Sequence, residues 1–265
     1  MIDGGTNSSR EPIAPEIPEC WALEPPVMGK ATDERGGWES HWEGLEGTPQ
    51  FFREQAKEYV RSLELALPLY TNARVLDFGC GFGFVAKILA PKVGQVFLWD
   101  ASANMRRRAR LNVATHENVR FLDFSNSESV HSDLCFDLIL VNSVVQYMPI
   151  HEFSAWLIRW RAMLSPGGRI IVSDLIPPDH NSILDIIDLL KFSVRHGVLG
   201  NAILRSFLKL GRYWRVRRTW PLARIGLEQL SQKARAASLA VNCLPRNLTQ
   251  FSTRFTAILT EADSY

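Results

Sequence analysis

The segment Val75-Leu76-Asp77-Phe78-Gly79-Cys80-Gly81-Phe82-Gly83 constrains this chain more than any other. Its apolar lead-in, Arg74–Phe78, reads as a buried strand. Three glycines follow at alternate positions, and the apolar stretch from Phe84 to Ala90, stopped by Pro91, reads as a helix. Glycine permits a tight turn and lets backbone approach a ligand closely. The start of the next helix offers unpaired N–H groups and the positive end of its dipole. In an open α/β sheet such a bend lies beyond the carboxyl ends of the strands, where ligands bind. Asp100 closes the next apolar run, Gln95–Trp99, 21 positions after Gly79. A carboxylate there accepts hydrogen bonds from both hydroxyls of a ribose. Together these features point to a nucleoside-containing ligand; the competing reading is a tight strand-to-helix turn beside a surface aspartate.

Beyond the bend, strand-like and helix-like segments alternate. Ala103–Leu111 reads as a basic helix, Val119–Leu122 and Phe136–Val141 as strands, and His151–Leu164 as an amphipathic helix ended by Pro166-Gly167-Gly168. Arg169–Ser173 is a further strand. Unbroken apolar strands separated by helices predict a parallel sheet covered on both faces. Residues 181–237 read as mostly helical. Leu239–Cys243 and Phe251–Leu259 then read as strands joined by residues 244–250, a link too short for a helical crossover, so they should pair antiparallel. The expected architecture is α/β: a doubly wound, mostly parallel seven-stranded sheet with an antiparallel C-terminal strand and a helical cap inserted at about 179–225. Residues 1–36, rich in Pro, Gly and acids, read as an N-terminal arm, and residues 37–265 as one domain. Residues 39–67 carry apolar positions at helical spacing, up to Pro68.

Composition narrows the function classes. Hydrophobic residues make up 46% of 265, enough for one sizeable core. With 30 basic and 28 acidic side chains, the chain has no global charge excess of the kind that marks a nucleic-acid binder. Four scattered cysteines without a CxxC indicate neither a disulfide framework nor a zinc site, and no metal is expected. The first residues lack a basic region followed by an apolar run, and no uncharged stretch of about 18 apolar residues occurs. A cytoplasmic location is the expectation.

The loop is G-x-G-x-G, whereas dinucleotide enzymes usually show G-x-G-x-x-G. Asp77 adds a carboxylate that suits an ammonium and a sulfonium better than a pyrophosphate. Over roughly Arg74–Asp174 the chain resembles the class I S-adenosylmethionine (SAM)-dependent methyltransferases. The resemblance implies SAM as cofactor, with Asp77, Gly79, Cys80 and Gly81 around its methionine part. Cys80 would serve through its backbone N–H rather than its thiol. The resemblance further implies Asp100 at the ribose, Ala101, Ser102 and Met105 along the adenosine, Asp123 and Phe124 at the adenine, and Asn142 and Ser143 beside the transferable methyl. The activity it implies is direct displacement of the methyl onto O, N or C of a small-molecule acceptor. An NAD(P)-dependent oxidoreductase and a non-catalytic SAM-fold binding protein are the alternatives.

The acceptor side is less determined. A general base is needed where the acceptor is a hydroxyl or a protonated amine. Tyr147 and His180, which follow the fourth and fifth strands, are the candidate catalytic residues; Gln146, Asp174 and His151 stand nearby in sequence. No N-P-P-Y follows the fourth strand, which argues against methylation of a flipped DNA adenine, and no nucleic-acid partner is expected. Trp38 and Trp42 read as a lid or as helix anchors. The stretch from Lys191 to Leu227 contains basic residues and no acid, interleaved with apolar positions. It is open to three readings: a solvated basic face, a pocket for an acidic substrate, or a peripheral contact with anionic membrane. The acceptor is expected to be apolar or acidic; the oligomeric state is left open.

Overall fold

The computed structural model describes residues 49–124, 134–198 and 221–262. The predicted N-terminal arm, Trp38, Trp42 and residues 199–220 of the predicted cap lie outside the described residues. Helix α1 (Pro49–Ala66) precedes β1 (Arg74–Phe78), α2 (Phe84–Leu89), β2 (Gln95–Trp99), α3 (Ala103–Val113) and β3 (Val119–Phe121). There follow β4 (Phe136–Asn142), α4 (Ile150–Ala162), β5 (Leu164–Leu175), α5 (Ser182–Arg195), α6 (Leu227–Ala236), β6 (Leu239–Cys243) and β7 (Phe255–Glu261). The seven strands form one sheet in the order β3-β2-β1-β4-β5-β7-β6. Strand β7 runs antiparallel between β5 and β6; the other neighbouring pairs are parallel. The order reverses between β1 and β4, and a crevice at the carboxyl ends follows from that reversal. No helix among the described residues is long and apolar enough to cross a membrane.

The inner strands β1, β2, β4, β5 and β7 bury both faces over most of their length, so alternate residues feed two cores. Leu76, Phe97, Ile139 and Ile170 pack on α4 and α6, while Val75, Val96, Leu98 and Leu140 pack on α1, α2 and α3. The first core is aromatic. Phe78 stacks on Trp99 at 4.4 Å and meets Trp156 and Trp160 edge-on at 4.5 and 5.0 Å. These rings sit directly beneath the ends of β1 and β2, and hold the bend above them.

Two boundaries differ from the sequence reading. Helix α4 ends before the Pro-Gly-Gly, and Leu164 already pairs with Phe136 in the sheet. The Pro-Gly-Gly is an irregularity inside β5, across which the register shifts to Leu138 opposite Arg169. Glycine is required there: Gly167 has φ +76°, and a Cβ on Gly168 would lie 2.7 Å from the Phe136 carbonyl oxygen. Strand β7 begins at Phe255 rather than Phe251, so residues 251–254 belong to the link instead.

Trp156 is the keystone of the aromatic layer. Trp156→Ala should cost about 3–5 kcal/mol, read as a shift in urea-unfolding midpoint. Leu111→Ala, on an exposed position of α3, should stay within about 0.5 kcal/mol.

Candidate active site

A cavity of about 410 Å³ opens at the carboxyl ends of the central strands. Its floor is the β1–α2 bend. Gly79 N–H and Cys80 N–H both donate to the Trp99 carbonyl, at 2.7 and 3.0 Å, and Gly81 N–H donates to Asp100 Oδ2 at 2.8 Å. These three amides are therefore spent on the end of β2 and on Asp100 just beyond it. What the bend provides is close approach. Gly79 has φ +81°, and a Cβ on it would lie 2.3 Å from Val144 Cγ2. A Cβ on Gly81, at φ +51°, would meet nothing within 4 Å and would project into open space.

Carboxylates take over the polar role. Asp100 is held at both oxygens, by Gly81 N–H and by Ser102 N–H at 2.9 Å. A carboxylate oxygen accepts more than one hydrogen bond, so each retains capacity for a ligand hydroxyl. Burial raises the Asp100 pKa, against these two amides and the Arg106 charge, which lower it. Arg106 also fixes the chain here, donating to the Asp100 and Ala101 carbonyls at 2.5 and 3.0 Å. Ser102 caps α3 through the Met105 N–H, which places Ala101, Ser102 and buried Met105 on one wall.

Asp77 is buried, and its Oδ2 has no hydrogen-bond partner among the described residues. Burial, and next the Asp100 charge, push its carboxyl up to about 7, against one hydrogen bond from the Ala86 N–H. An opposite charge placed beside such a buried acid favours its ionised form. Cys80 also lines the cavity, but burial raises its thiol pKa well above the ordinary value, and such a thiol is not a nucleophile.

The opposite wall rises from β4, β5 and the β6–β7 link. Asn142, Ser143, Gln146 and Tyr147 line it, together with Asp174, Phe251 and Arg254. Asp174 Oδ2 accepts from Ser143 Oγ and Arg254 Nη1, both at 2.8 Å, and Asp174 Oδ1 accepts from Thr249 Oγ1 at 2.8 Å. Arg254 also donates to Gln146 Oε1 at 2.9 Å and to Asp185 Oδ2 at 2.6 Å, and lies 4.0 Å over the Phe251 ring. Burial works against its positive charge, but Asp174 and Asp185 outweigh it and raise the Arg254 pKa.

Of the site residues expected from sequence, Asp77, Gly79, Cys80, Gly81, Asp100, Ala101, Ser102, Met105, Asn142, Ser143 and Tyr147 line this cavity. His180, Asp123 and Phe124 are not part of its lining. His180 is folded back by a turn from Pro177 and buried, with Nε2 3.2 Å from Asp185 and Nδ1 3.3 Å from Thr253 Oγ1. Phe124 packs into the aromatic core, 5.6 Å from Trp99, and Asp123 is exposed. Sequence reading missed Arg254. It falls in a segment that reads as strand, and only its tertiary pairing with two aspartates reveals it.

Asp77 should leave a pH signature on stability. Its folded pKa lies above the ordinary carboxylate value of 3.8. Between 3.8 and about 7 the folded protein holds a proton that the unfolded chain releases, so this group costs stability as pH rises through that window. Without ligand, Asp77→Asn should be more stable than wild type by on the order of 3 kcal/mol at about pH 8. The two should converge near pH 4. Urea titrations at both pH values measure it; equal stability at the higher pH contradicts the assignment.

Comparison with known proteins agrees with this geometry. Residues 75–168 match the model of the methyltransferase domain family. The chain is 31% identical over 112 residues to the biotin biosynthesis bifunctional protein BioCD of Bordetella avium, covering 42% of this chain and 23% of that protein. It is 30% identical over 125 residues to a ubiquinone biosynthesis O-methyltransferase of Cereibacter sphaeroides, covering 45% and 48%. Both alignments thus span less than half of the relative's length. Among solved structures, the fold matches the DhpI–SAH complex with a TM-score of 0.55 at 14% identity, covering 87% of this chain and 96% of that one. Sheet order, glycine bend, paired acids and matched domain together agree with the resemblance to the class I SAM-dependent methyltransferases.

Proposed function

We propose that the chain transfers a methyl group from SAM to a small, apolar or aromatic acceptor. The observation that carries this reading is the Asp100 carboxylate, held by two amides and facing the same cavity as the uncompensated Asp77. Bound SAM supplies an electrophilic methyl on a sulfonium that leaves as a neutral thioether. The chain's own work is to hold and orient. Asp100 accepts the ribose hydroxyls, Asp77 neutralises the amino acid ammonium, and Ala101, Ser102 and Met105 wall the adenosine. Asn142 and Ser143 mark the side on which the acceptor approaches, where Tyr147 is the phenol placed to orient an acceptor hydroxyl. Alignment and exclusion of water then carry most of the rate.

Electrostatics separates the acceptor classes. Arg254 is the cation of the acceptor wall, yet Asp174 and Asp185 already neutralise it. An acidic acceptor would add negative charge to a site that holds Asp77, Asp100 and Asp174. Phe51, Phe52, Tyr147 and Phe251 instead offer aromatic surface. The same charge pattern disfavours an NAD(P) pyrophosphate, which would meet the carboxylates of Asp77 and Asp100.

Calorimetric titration tests this reading. SAM and its demethylated product should bind, and NAD should not. Asp100→Ala should weaken SAM binding by at least about tenfold through loss of charge-assisted hydrogen bonds. Because the ligand cation stabilises ionised Asp77, binding should release a proton and tighten between about pH 6 and pH 8. Asp77→Asn should remove that slope. No heat with either SAM or its product overturns the proposal.

A further inference from the structure

Helix α5 is amphipathic in the reverse sense. Its inner face carries its acids: Asp185 is buried against Arg254, and Asp188 accepts from Ser252 N–H at 2.8 Å and from Ser252 Oγ at 2.6 Å. Phe192 and Ser193 complete that face, and Leu189 reaches the cavity. The outer face is aliphatic. Ile183 and Val194 are 67% and 62% exposed, and Leu184, Ile186, Ile187 and Leu190 lie exposed beside them. Lys191 and Arg195 are the charged residues on this face; both are basic and exposed, and Arg195 Nη1 lies 3.9 Å from Glu58 Oε1 of α1. A soluble helix that turns its apolar side outward has something to cover it.

We infer that this face docks on an anionic lipid bilayer. Charge selects that occupant. From Lys191 to Leu227 the sequence contains nine Lys and Arg and no Asp or Glu, although acids are nearly as common as bases in the chain as a whole. Aliphatic side chains flanked by cations, with the helix's acids turned away, match an interfacial helix on negative headgroups. A protein partner for so basic a stretch would need an acidic surface; a second copy of this chain would set cations against cations. Docking does not require methyl transfer. Leu189, on the inner face of the same helix, lines the cavity, so docking would also bring the acceptor side of the cavity close to the bilayer.

Co-sedimentation of the full chain with vesicles tests the inference. Vesicles containing phosphatidylglycerol should retain the protein, pure phosphatidylcholine vesicles should retain much less, and added salt should release it. The triple variant Ile187→Glu, Leu190→Glu, Val194→Glu should bind anionic vesicles at least about tenfold more weakly. Its affinity for the demethylated product of SAM should stay at the wild-type value, which shows that the fold and cavity persist. Lys191→Glu with Arg195→Glu should lower anionic binding while retaining that affinity. Absence of wild-type binding to phosphatidylglycerol vesicles overturns the inference. So does binding that the triple variant leaves unchanged. A wild-type dimer that the triple variant disperses, without vesicle binding, assigns the face to a second copy instead. Vesicle binding needs no cofactor, so its failure is separate from failure of the methyl-transfer reading.

Discussion

The amides of Gly79 and Cys80 converge on one carbonyl, that of Trp99, while the amide of Gly81 reaches Asp100 one residue further along. This staple ties the end of β1 to the end of β2 and fixes the depth of the cavity floor. It rests in turn on the aromatic layer below, where Phe78 and Trp99 stack at 4.4 Å. A glycine-rich bend before a helix suggests a cradle of free N–H donors. Here the amides of Gly79, Cys80 and Gly81 are bonded to Trp99 and Asp100, and α2 is only six residues long. The carboxylates of Asp77 and Asp100, which suit hydroxyls and cations rather than phosphates, face the cavity beside these bonded amides.

These two carboxylates set the electrostatics of the whole cavity. Asp77 and Asp100 raise each other's cost of ionisation in a buried space, and Tyr59 feels it too: burial, with the charges of Asp77 and Asp174, raises its pKa. A monocation that enters beside Asp77 relieves a penalty already present in the free protein, so part of its binding energy is stored before it arrives. On the far wall the balance is different. Arg254 and Asp174 satisfy one another, and Asp185 adds a second anion to the same guanidinium. That wall is closed to further strong charge, and its aromatic side chains supply the contact surface.

The sheet was legible because its physics is local. Runs such as Val96-Phe97-Leu98 and Ile170-Ile171-Val172 bury both faces, and the short reach between the last two strands forbids a crossover, which puts β7 antiparallel. That Asp77, Gly79, Gly81 and Asp100 meet at one cavity was legible because their spacing is tied to the turn that brings them together. Where reading failed, a distant contact decided. His180 follows β5 as a catalytic residue would, yet Asp185 and Thr253 hold it behind the cavity wall. Phe124 follows β3, but the space beside Trp99 and Trp156 captures its ring. Arg254 left no local trace, since its partners Asp174 and Asp185 are about 70 to 80 residues away in sequence.

Strain is concentrated where those distant contacts meet. Ser143 and Asp174 both adopt positive φ, at 57° and 69°, and share a hydrogen bond of 2.8 Å across the ends of adjacent strands. Each non-glycine residue in that region costs on the order of 1 kcal/mol or more, and surrounding bonds must over-determine it. For Asp174 they do: Thr249, Asn247 and Arg254 all hold it, and Asn247 is itself fixed by Thr249, Phe251 and Thr256. The β6–β7 link thus completes this cavity wall from the far end of the chain. Its cation in turn dictates α5. Arg254 also bonds Asp185, which turns Asp185 inward, and Asp188 faces Ser252 on the same link. Since 3.6 residues make a turn, acids committed to one face leave the opposite face to Ile183, Ile187, Leu190 and Val194. The reversed polarity of α5 is thus a consequence of how the buried guanidinium is neutralised.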